Sequence, residues 1–303
     1  RTERAHGRAR IAEVTPHRIL KELEKEQIVV VAGFQGFTEE GEITTLGRGG
    51  SDTTAVALAA ALGAGRCEIY TDVEGIYTAD PRVVPQARKL AEIDYEEMLE
   101  LAAYGAKMQA RSIELAALYH IPVLVASTFS DAPGTLIHKE VSMEVRERVR
   151  GVAYDLNVAK VTVRGVPDRP GIAAALFEPL AAVGISVDTI VQNASVEGVT
   201  DLSFTVARTD LAKSLEVVGP VARSLGAGGV VSDARLGKVS IVGTGMQNAP
   251  GYAARMFRAL ANEGVNIEMI TTSEIRITCI VAEDRVKDAV RALHQAFRLE
   301  EAG

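Results

Sequence analysis

The sequence predicts an α/β domain with a largely parallel sheet, followed by two copies of a smaller α+β module. In the first half of the chain, short apolar runs alternate with segments of helical periodicity, as in strands joined by crossover helices. In the second half, three pairs of residues recur 80 positions apart: Pro170 with Pro250, Gly184 with Gly264, and Asp188 with Glu268. A repeat with one fixed spacing indicates two copies of one supersecondary unit.

Local patterns in the first half predict its elements. Thr15 and Pro16 favour a helix start, and residues 28–33 (IVVVAG) form an apolar run typical of a strand buried on both faces. The other expected elements are a helix after Ser51 and Asp52 that ends near Gly63, a strand at 67–72, a long helix at 94–119 and a strand at 122–126. Ligands of such a sheet gather at the carboxyl ends of its strands, here residues 33–36, 71–72 and 127–128.

Each copy of the repeat has the order strand, Pro-Gly loop, helix, glycine turn, strand, strand, helix. This is the βαββαβ-like, ferredoxin-like order, in which helices cover one face of an antiparallel sheet. We therefore divide the chain into an α/β domain (1–138), a charge-rich linker (139–150), a first module (151–235) and a second module (236–303).

Composition excludes several classes of function. The 303 residues carry 33 basic and 40 acidic side chains, a net charge of −7, which argues against a nucleic-acid partner. Apolar runs are shorter than the ~18 residues of a membrane span, so no membrane partner is expected. Cys67 and Cys279 lie far apart in strand-like surroundings, so neither a disulfide framework nor a cysteine metal site is expected. The chain starts without methionine or a signal sequence, and we expect a cytoplasmic protein.

Residues 47–54 (GRGGSDTT) are the strongest candidate for a binding site. Three glycines let the backbone approach a ligand closely, and the start of the following helix favours an anion. Arg48 can bind a carboxylate or phosphate through two parallel hydrogen bonds. The spacing matches neither the phosphate-binding P-loop nor the dinucleotide motif G-x-G-x-x-G. We favour anion binding over the alternative, a glycine-rich turn whose Ser51 caps a helix.

Residues 71–81 leave two interpretations open. Asp72, Glu74 and Asp80 could hold a metal ion through water, or the segment is a surface turn stabilised by aspartate and proline. Lys107 lies one position off the apolar stripe of the long helix and, on composition alone, is interpreted as solvated. The five histidines lack metal-ligand spacing, and no Ser-His-Asp or Cys-His arrangement is recognisable.

Three motifs together resemble the aspartokinase family: residues 45–55 (TLGRGGSDTTA), 70–82 (YTDVEGIYTADPR) and 264–274 (GVNIEMITTSE). The resemblance covers the whole chain and is closest to the lysine- and threonine-regulated bacterial type. It implies an amino-acid-kinase-type domain with helices on both faces of its sheet, followed by two ACT modules. It also implies that a strand near 151–156 pairs with the second module. The implied reaction converts L-aspartate and ATP, with Mg²⁺, to 4-phospho-L-aspartate, the first step toward lysine, threonine, methionine and isoleucine.

The resemblance also implies roles for individual residues. Those that would bind aspartate are Arg48, Gly49, Gly50 and Ser51, and those that would act in catalysis are Arg48, Ser51 and Lys107. Those that would surround the nucleotide are Ser51, Tyr70, Thr71, Ile76, Tyr77, Thr78, Ala79, Asp80, Pro81 and Lys107. Those that would bind threonine or lysine as effectors are Asp168, Gly171, Ile172, Ala173, Ile185, Ser186, Val187, Val191, Gln192, Tyr252, Ala253, Asn266, Ile267, Ser273 and Glu274. No protein residue is assigned to a metal ion, and the Lys107 interpretation changes from solvated to nucleotide-binding.

Other classes of protein stay open at this point. One is another amino-acid-kinase-type enzyme, acting on glutamate, acetylglutamate or a nucleotide. The other is a regulatory chain or inactive fragment that senses amino acids without catalysis. Ala253 stands where some relatives carry threonine, which bears on the choice of effector. A homo- or hetero-oligomer formed through the ACT modules is expected, because each module would otherwise leave a sheet edge unpaired.

The first prediction concerns activity of the 303-residue chain. The family pattern opens with a strand and a Lys-x-Gly-Gly phosphate-binding segment, and this motif occurs nowhere in the sequence. We expect the purified chain to show negligible phosphorylation of aspartate, because the β- and γ-phosphates lack their principal cradle. An ADP-release assay with aspartate, ATP and Mg²⁺ measures this directly, and near-normal turnover would contradict the expectation.

Overall fold

The computed structural model describes residues 1–105, 108–139, 149–193, 198–247 and 249–301. The elements of the first part are α1 (His17–Leu23), β1 (Gln35–Phe37), β2 (Ile43–Thr45), α2 (Gly50–Leu62), β3 (Cys67–Thr71), β4 (Glu92–Ile93), α3 (Tyr95–Ala103), α4 (Ala110–Tyr119), β5 (Val123–Ser127) and β6 (Thr135–Ile137). Those of the second part are β7 (Gly151–Pro167), α5 (Ile172–Ala182), β8 (Val187–Gln192), β9 (Val199–Val206), α6 (Leu211–Ser224), β10 (Gly229–Val242), α7 (Tyr252–Asn262), β11 (Met269–Thr272), β12 (Arg276–Ala282) and α8 (Val286–Ala296).

The first part contains a four-stranded sheet in the order β3-β5-β6-β4 and a small β1-β2 hairpin. β3 pairs with β5, and β4 with β6, in parallel, whereas β5 and β6 are antiparallel. Helix α2 packs against β3 and α4, and its Val56 joins a buried core with Met98 and Ile113. The predicted α/β class with a mostly parallel sheet is confirmed.

Two expected elements of the first part are wrong. Residues 28–33 form no strand, and the side chains of Ile28 and Val30 are 95% and 93% exposed. A strand exists only with a neighbour to bond its backbone, and none of the described residues pairs with this segment. The single helix expected at 94–119 is two helices, α3 and α4. Gly105 has φ +115° and Gln109 is extended, so helical geometry cannot continue between them.

The expected helix starts also differ in detail. Helix α1 begins after Pro16, and no side chain caps it. Helix α2 begins at Gly50, with Gly49 as its N-cap in the left-handed conformation. Ser51 and Asp52 therefore lie in the first turn of α2 and not ahead of it. Glycine takes this position because its φ of +74° is strained for any residue with a Cβ atom.

The second part is one six-stranded sheet in the order β11-β12-β10-β7-β9-β8. Its two central strands are long and antiparallel, and each serves both copies of the repeat. Residues 229–233 of β10 pair with 160–164 of β7, and residues 238–242 pair with 151–155. Register shifts separate the two stretches. The beginning of β7 therefore completes the sheet of the second copy, although it precedes the first copy in sequence.

Two ion pairs connect the copies in a crossed manner. Lys160 on β7 lies 3.1 Å from the carboxylate of Glu268 beside β11, and Lys238 on β10 bonds Asp188 on β8. Asp188 and Glu268 are equivalent positions of the repeat. Each copy therefore supplies a lysine from its first strand to the acidic residue of the other copy. Because Asp188 lies on the edge strand β8 and Glu268 directly precedes the edge strand β11, the ion pairs connect both edges of the sheet to the central strands.

A buried polar network joins α3 to the six-stranded sheet. The side chain of Glu97 accepts two hydrogen bonds from Thr244, one from the backbone N–H and one from the hydroxyl, both at 2.9 Å. Arg150 lies 3.3 Å from the same carboxylate. Burial raises the pKa of Glu97, and the Thr244 N–H and Arg150 oppose that rise. The network fixes the α/β part on the sheet, because none of these groups could be buried alone.

A second contact at this junction involves Tyr104, which ends α3. The guanidinium of Arg276 lies 4.4 Å from the centre of its ring and 2.8 Å from the carboxylate of Glu100. Burial, with the Asp188 carboxylate as the next cause, raises the pKa of Tyr104 to about 12. The ring therefore stays neutral and packs as part of the contact between the domains.

Among the described residues, no helix combines the length and the apolar composition needed to cross a membrane.

The second prediction concerns Gly105, which packs directly on β7. A Cβ atom there would collide with the carbonyl oxygen of Tyr154, and φ is +115°. We expect Gly105→Ala to lower the free energy of unfolding by about 3 kcal/mol, the sum of overpacking against backbone and backbone strain. Gly184→Ala is the matched control, because its φ is +76° and a Cβ there meets nothing within 4 Å. It should cost only about 1 kcal/mol. Equal losses in urea titrations of the two variants would refute the steric explanation.

Candidate functional site

The glycine-rich loop 46–50 has a shape that only glycines allow. Gly47 and Gly49 have φ values of +84° and +74°. A Cβ at Gly50 would lie 2.7 Å from Cβ of Leu46, which is closer than two non-bonded carbon atoms approach each other. The loop thus turns tightly into the N-terminus of α2. At the start of this 13-residue helix the N–H groups of Gly50 and Asp52 donate to the carbonyl oxygens of Gly47 and Gly49, whereas that of Ser51 has no acceptor among the described residues. The N-terminus of a helix favours a negative charge.

Side chains from α4 and its N-cap hold the loop in place. Gln109 donates from Nε2 to the carbonyl oxygen of Arg48 at 2.6 Å, and Arg111 donates to the carbonyl oxygen of Leu46 at 3.2 Å. Burial raises the pKa of Asp52 in the first turn of α2, while the backbone N–H of Gln109 acts to lower it. Sequence reasoning missed these supporting roles. No sequence pattern around Gln109 predicts its hydrogen bond to Arg48, because a single glutamine near a helix start occurs in many structural settings.

The loop leaves Arg48 exposed, and its guanidinium bonds no other side chain or carbonyl in the part of the chain that the structure describes. Thr54 accepts a hydrogen bond from the backbone N–H of Phe34 at 3.1 Å and donates to the carbonyl oxygen of Gly50 at 2.9 Å. The segment at 33–34 therefore lies beside the start of α2, although it is not the carboxyl end of a strand as the sequence predicted. A cation with free donors on a fixed loop is suited to a carboxylate or a phosphate.

The carboxyl ends of β3 and β5 form a second group of polar residues. Thr71 is in register with Ser127, and the N–H of Thr128 donates to the carbonyl oxygen of Thr71 at 2.8 Å. The Thr71 hydroxyl lies 3.1 Å from the carboxylate of Asp72. Tyr70 is 60% exposed and donates its hydroxyl proton to Glu68 at 2.8 Å. The structure thus brings residues 70–72 and 127–128 to one edge of the sheet.

Residues 76–81 follow as a loop that is held by hydrogen bonds to the segment 88–90 and to neighbouring side chains. Ile76 and Thr78 pair with the segment 88–90, through N–H to O distances of 2.8 and 2.9 Å. Tyr77 and Asp80 are half-buried, whereas Thr78 and Ala79 are buried. The Arg82 side chain, bonded to Asp80, holds the pKa of that carboxyl below its usual range, and the Tyr154 hydroxyl also donates to it.

The structure does not assemble the metal site considered for Asp72, Glu74 and Asp80. The described residues contain no cluster of three side chains able to hold a metal ion. Glu74 accepts from the Ser130 hydroxyl at 3.1 Å, whereas Asp80 bonds Arg82 and Tyr154. The carboxylates are thus used by separate partners. Lys107 lies outside the described residues.

The expected effector residues of the first module surround the start of α5 and the strand β8. Gly171 is the N-cap of α5 with φ +91°, Ile172 is buried behind it, and Gln192 is exposed at the end of β8. The backbone N–H of Asp168 donates to the carbonyl oxygen of Gly198. The exposed amide of Gln192 and the N–H groups of Ala173 and Ala174, which have no acceptor among the described residues, are polar groups able to bind a small zwitterion.

The expected effector residues of the second module contact other residues of the same chain. Asn266 bonds Glu268 at 3.2 Å, Ser273 donates to Glu100 on α3 at 3.1 Å, and Glu274 accepts from Gln247 at 3.4 Å. The ring of Tyr252 stacks on Phe297 with centroids 6.2 Å apart. Among the described residues, no hydrogen bond or ion pair joins this group to Asp168 or Gln192. Within one chain, Val191 packs against the buried cluster that contains Met269.

Comparison with known protein families identifies the domains of the chain. Residues 2–127 match the amino acid kinase family, and residues 161–219 and 239–297 each match the ACT domain. The chain is thus an amino acid kinase domain followed by two ACT domains.

The particular family follows from whole-chain similarity. An aspartate kinase of Pseudomonas putida is 51% identical over 302 residues, which are 99% of this chain and 73% of the relative. Crystal structures of E. coli aspartokinase III match 98% of this chain and 67% of that protein. Its complex with aspartate and ADP (R-state) gives a TM-score of 0.84 at 32% identity, and its complex with lysine and aspartate (T-state) gives 0.72 at 31%. The chain belongs to the aspartokinase family.

Proposed function

We propose that the protein transfers the γ-phosphoryl group of ATP to the side-chain carboxylate of L-aspartate, giving ADP and 4-phospho-L-aspartate. Relatives at about 50% identity bear the name aspartate kinase, and the E. coli structure with the higher TM-score contains aspartate and ADP. The observation that carries the proposal is the Arg48 guanidinium, exposed on a loop fixed by Gln109 and Arg111 at the start of α2.

Arg48 would bind the α-carboxylate of aspartate through two parallel hydrogen bonds, supported by the backbone of Gly49, Gly50 and Ser51. The side-chain carboxylate would then point toward the γ-phosphate. One of its oxygens forms the new bond to phosphorus as the bond to the leaving oxygen of ADP breaks. The attacking carboxylate is ionised at pH 7, so the reaction needs no general base. The demand on the protein is to bring two anions together, which fixed positive groups accomplish.

The nucleotide would lie at the carboxyl ends of β3 and β5, against Tyr70, Thr71 and the loop 76–81, with Lys107 near its phosphates. When bound, Mg²⁺ would supply positive charge that offsets the charge of the phosphates. A magnesium ion carried by a nucleotide needs only one or two carboxylates, since phosphates and water complete its shell. The chain fits that requirement with the exposed Asp72 at the end of β3, whose carboxylate would contact the ion or its water.

We also propose that the ACT modules bind threonine, with lysine as a co-inhibitor. The supporting features are the start of α5 after its N-cap Gly171, Asp168 in the preceding loop and the exposed Gln192 at the end of β8. The E. coli relative was solved with lysine. Asn266 and Ile267 would close the pocket from a second chain, because within one chain they make separate contacts. This makes a homo- or hetero-oligomer the proposed assembly. The proposed domain limits are 1–138, 139–150, 151–235 and 236–303, and the proposed setting is cytoplasmic biosynthesis of lysine, threonine, methionine and isoleucine.

The third prediction tests Arg48 in an active enzyme that contains these 303 residues. Arg48→Lys keeps the charge but removes the planar pair of donors, so we expect a loss of roughly 2–4 kcal/mol in transition-state stabilisation. In steady-state kinetics, kcat/KM for aspartate should fall accordingly while the KM for ATP stays within twofold. Arg66→Lys is the matched control, because Arg66 pairs with Glu68 at the opposite end of β3. An unaltered kcat/KM in Arg48→Lys would exclude the assigned role.

The fourth prediction tests the effector site by titration calorimetry. The chain should bind threonine saturably, and Gln192→Ala should weaken this binding at least about tenfold, because a hydrogen bond to a charged ligand is lost. Gln295→Ala provides the control, since Gln295 is exposed on α8 of the second module, whereas α5 and β8 belong to the first. Absence of heat up to millimolar threonine, with or without lysine, would count against the site.

A further inference from the structure

A buried histidine of the second ACT module contacts the loop assigned to the nucleotide. His294 lies on α8 with 2% of its surface exposed, in a core that includes Val290 and Leu293. Its Nε2 atom is 2.9 Å from the hydroxyl oxygen of Thr78, which is 216 positions earlier in sequence. A buried imidazole requires hydrogen-bond partners, and this one finds its partner in another domain.

Thr78 uses each of its polar groups to fix the loop. Its N–H donates to the carbonyl oxygen of Arg88 at 2.9 Å, and its own carbonyl oxygen accepts from the N–H of Val152 on β7 at 2.7 Å. The hydroxyl oxygen accepts from the N–H of Arg88, also at 2.9 Å. The hydroxyl proton is therefore left to point at His294.

The surroundings of the imidazole favour the matching tautomer. A carboxylate oxygen of Glu300 lies 3.4 Å from Nδ1, so the ring proton is best placed on Nδ1 and Nε2 can accept the Thr78 hydroxyl. Burial lowers the pKa of His294, which keeps the ring neutral, while the Glu300 carboxylate opposes and Arg88 adds to that effect. A hydrogen bond thus joins His294 to Thr78 at the centre of the loop, and the Glu300 carboxylate lies beside the other ring nitrogen.

The residues before and after Thr78 in the loop 76–81 pack in different hydrophobic cores. Ile76 lies in the core of the kinase domain, whereas Ala79 and Val83 lie in the same buried cluster as α8. Between them, Tyr77 and Asp80 stay partly exposed. The position of Thr78 therefore decides how these two side chains are presented to a ligand at the ends of β3 and β5.

We propose that His294 is a positioning residue for nucleotide binding: through Thr78 it holds the loop 76–81 in the conformation that receives ATP. The inference rests on the proposed function, in that it assigns this loop to the nucleotide. It adds that the affinity for ATP depends on the last helix of the second ACT module, which touches no substrate itself.

The test uses His294→Leu and His294→Gln in an active enzyme that contains these residues. Leucine cannot accept the Thr78 proton, so the KM for ATP should rise about tenfold, the effect of one buried hydrogen bond, while kcat and the KM for aspartate change less than twofold. Glutamine offers its amide oxygen near the position of Nε2 and should restore most of the ATP affinity. Hydrogen exchange of residues 76–90 should accelerate in His294→Leu and stay near the native rate in His294→Gln.

Ser214→Ala provides the matched control. Ser214 is fully buried in the first module and donates to the carbonyl oxygen of Asp210, so its loss removes a buried hydrogen bond far from the loop. It should lower stability without raising the KM for ATP. An unchanged KM for ATP in His294→Leu, equal defects in the leucine and glutamine variants, or an equal rise in Ser214→Ala would overturn the proposal. An unsubstituted enzyme that does not phosphorylate aspartate would instead contradict the proposed function itself.

Discussion

The antiparallel pairing of β7 with β10 is the constraint on which the rest of the structure depends. These strands run through both ACT modules, and each half of the pair completes the sheet of a different module. The kinase domain is attached to the same pair, since Val152 on β7 bonds the loop 76–81 and Tyr154 contacts both Gly105 and Asp80. Neither module nor the loop could keep its position if this ladder shifted in register, because every side chain would change face.

Coupling between the ACT modules and the kinase domain has a physical basis at this junction. Asp188 bonds Lys238 of the other module, and its carboxylate also faces Tyr104 at the end of α3. On the other side of the contact, His294 reaches Thr78. A displacement of β8 or α8 would therefore reach α3 or the loop 76–81 through contacts already present. A few kcal/mol of differential affinity between two arrangements of such contacts is enough to switch activity.

Sequence reasoning succeeded where local pattern and structure coincide. The strands β3 and β5, the α2 helix after the glycine-rich loop and the repeat of the second half all follow from short-range signals such as apolar runs, glycines and spacing. It failed where a partner distant in sequence decides. The apolar run at 28–33 has no strand to pair with among the described residues, and Gly105 divides the expected long helix because its φ and its contact with Tyr154 forbid helical geometry.

The amino-acid sequence by itself determined the fold class, the duplicated module, the family and the identity of Arg48 as the candidate anion-binding residue. These depend on residue type and on short or regular spacing, which are visible without coordinates. Only the tertiary structure decided that Gln109 and Arg111 hold the loop of Arg48, that lysines and carboxylates cross between the modules, and that His294 meets Thr78. Such contacts join residues tens to hundreds of positions apart, and a hydrogen bond between them depends on distances of a few ångströms that only the packed chain establishes.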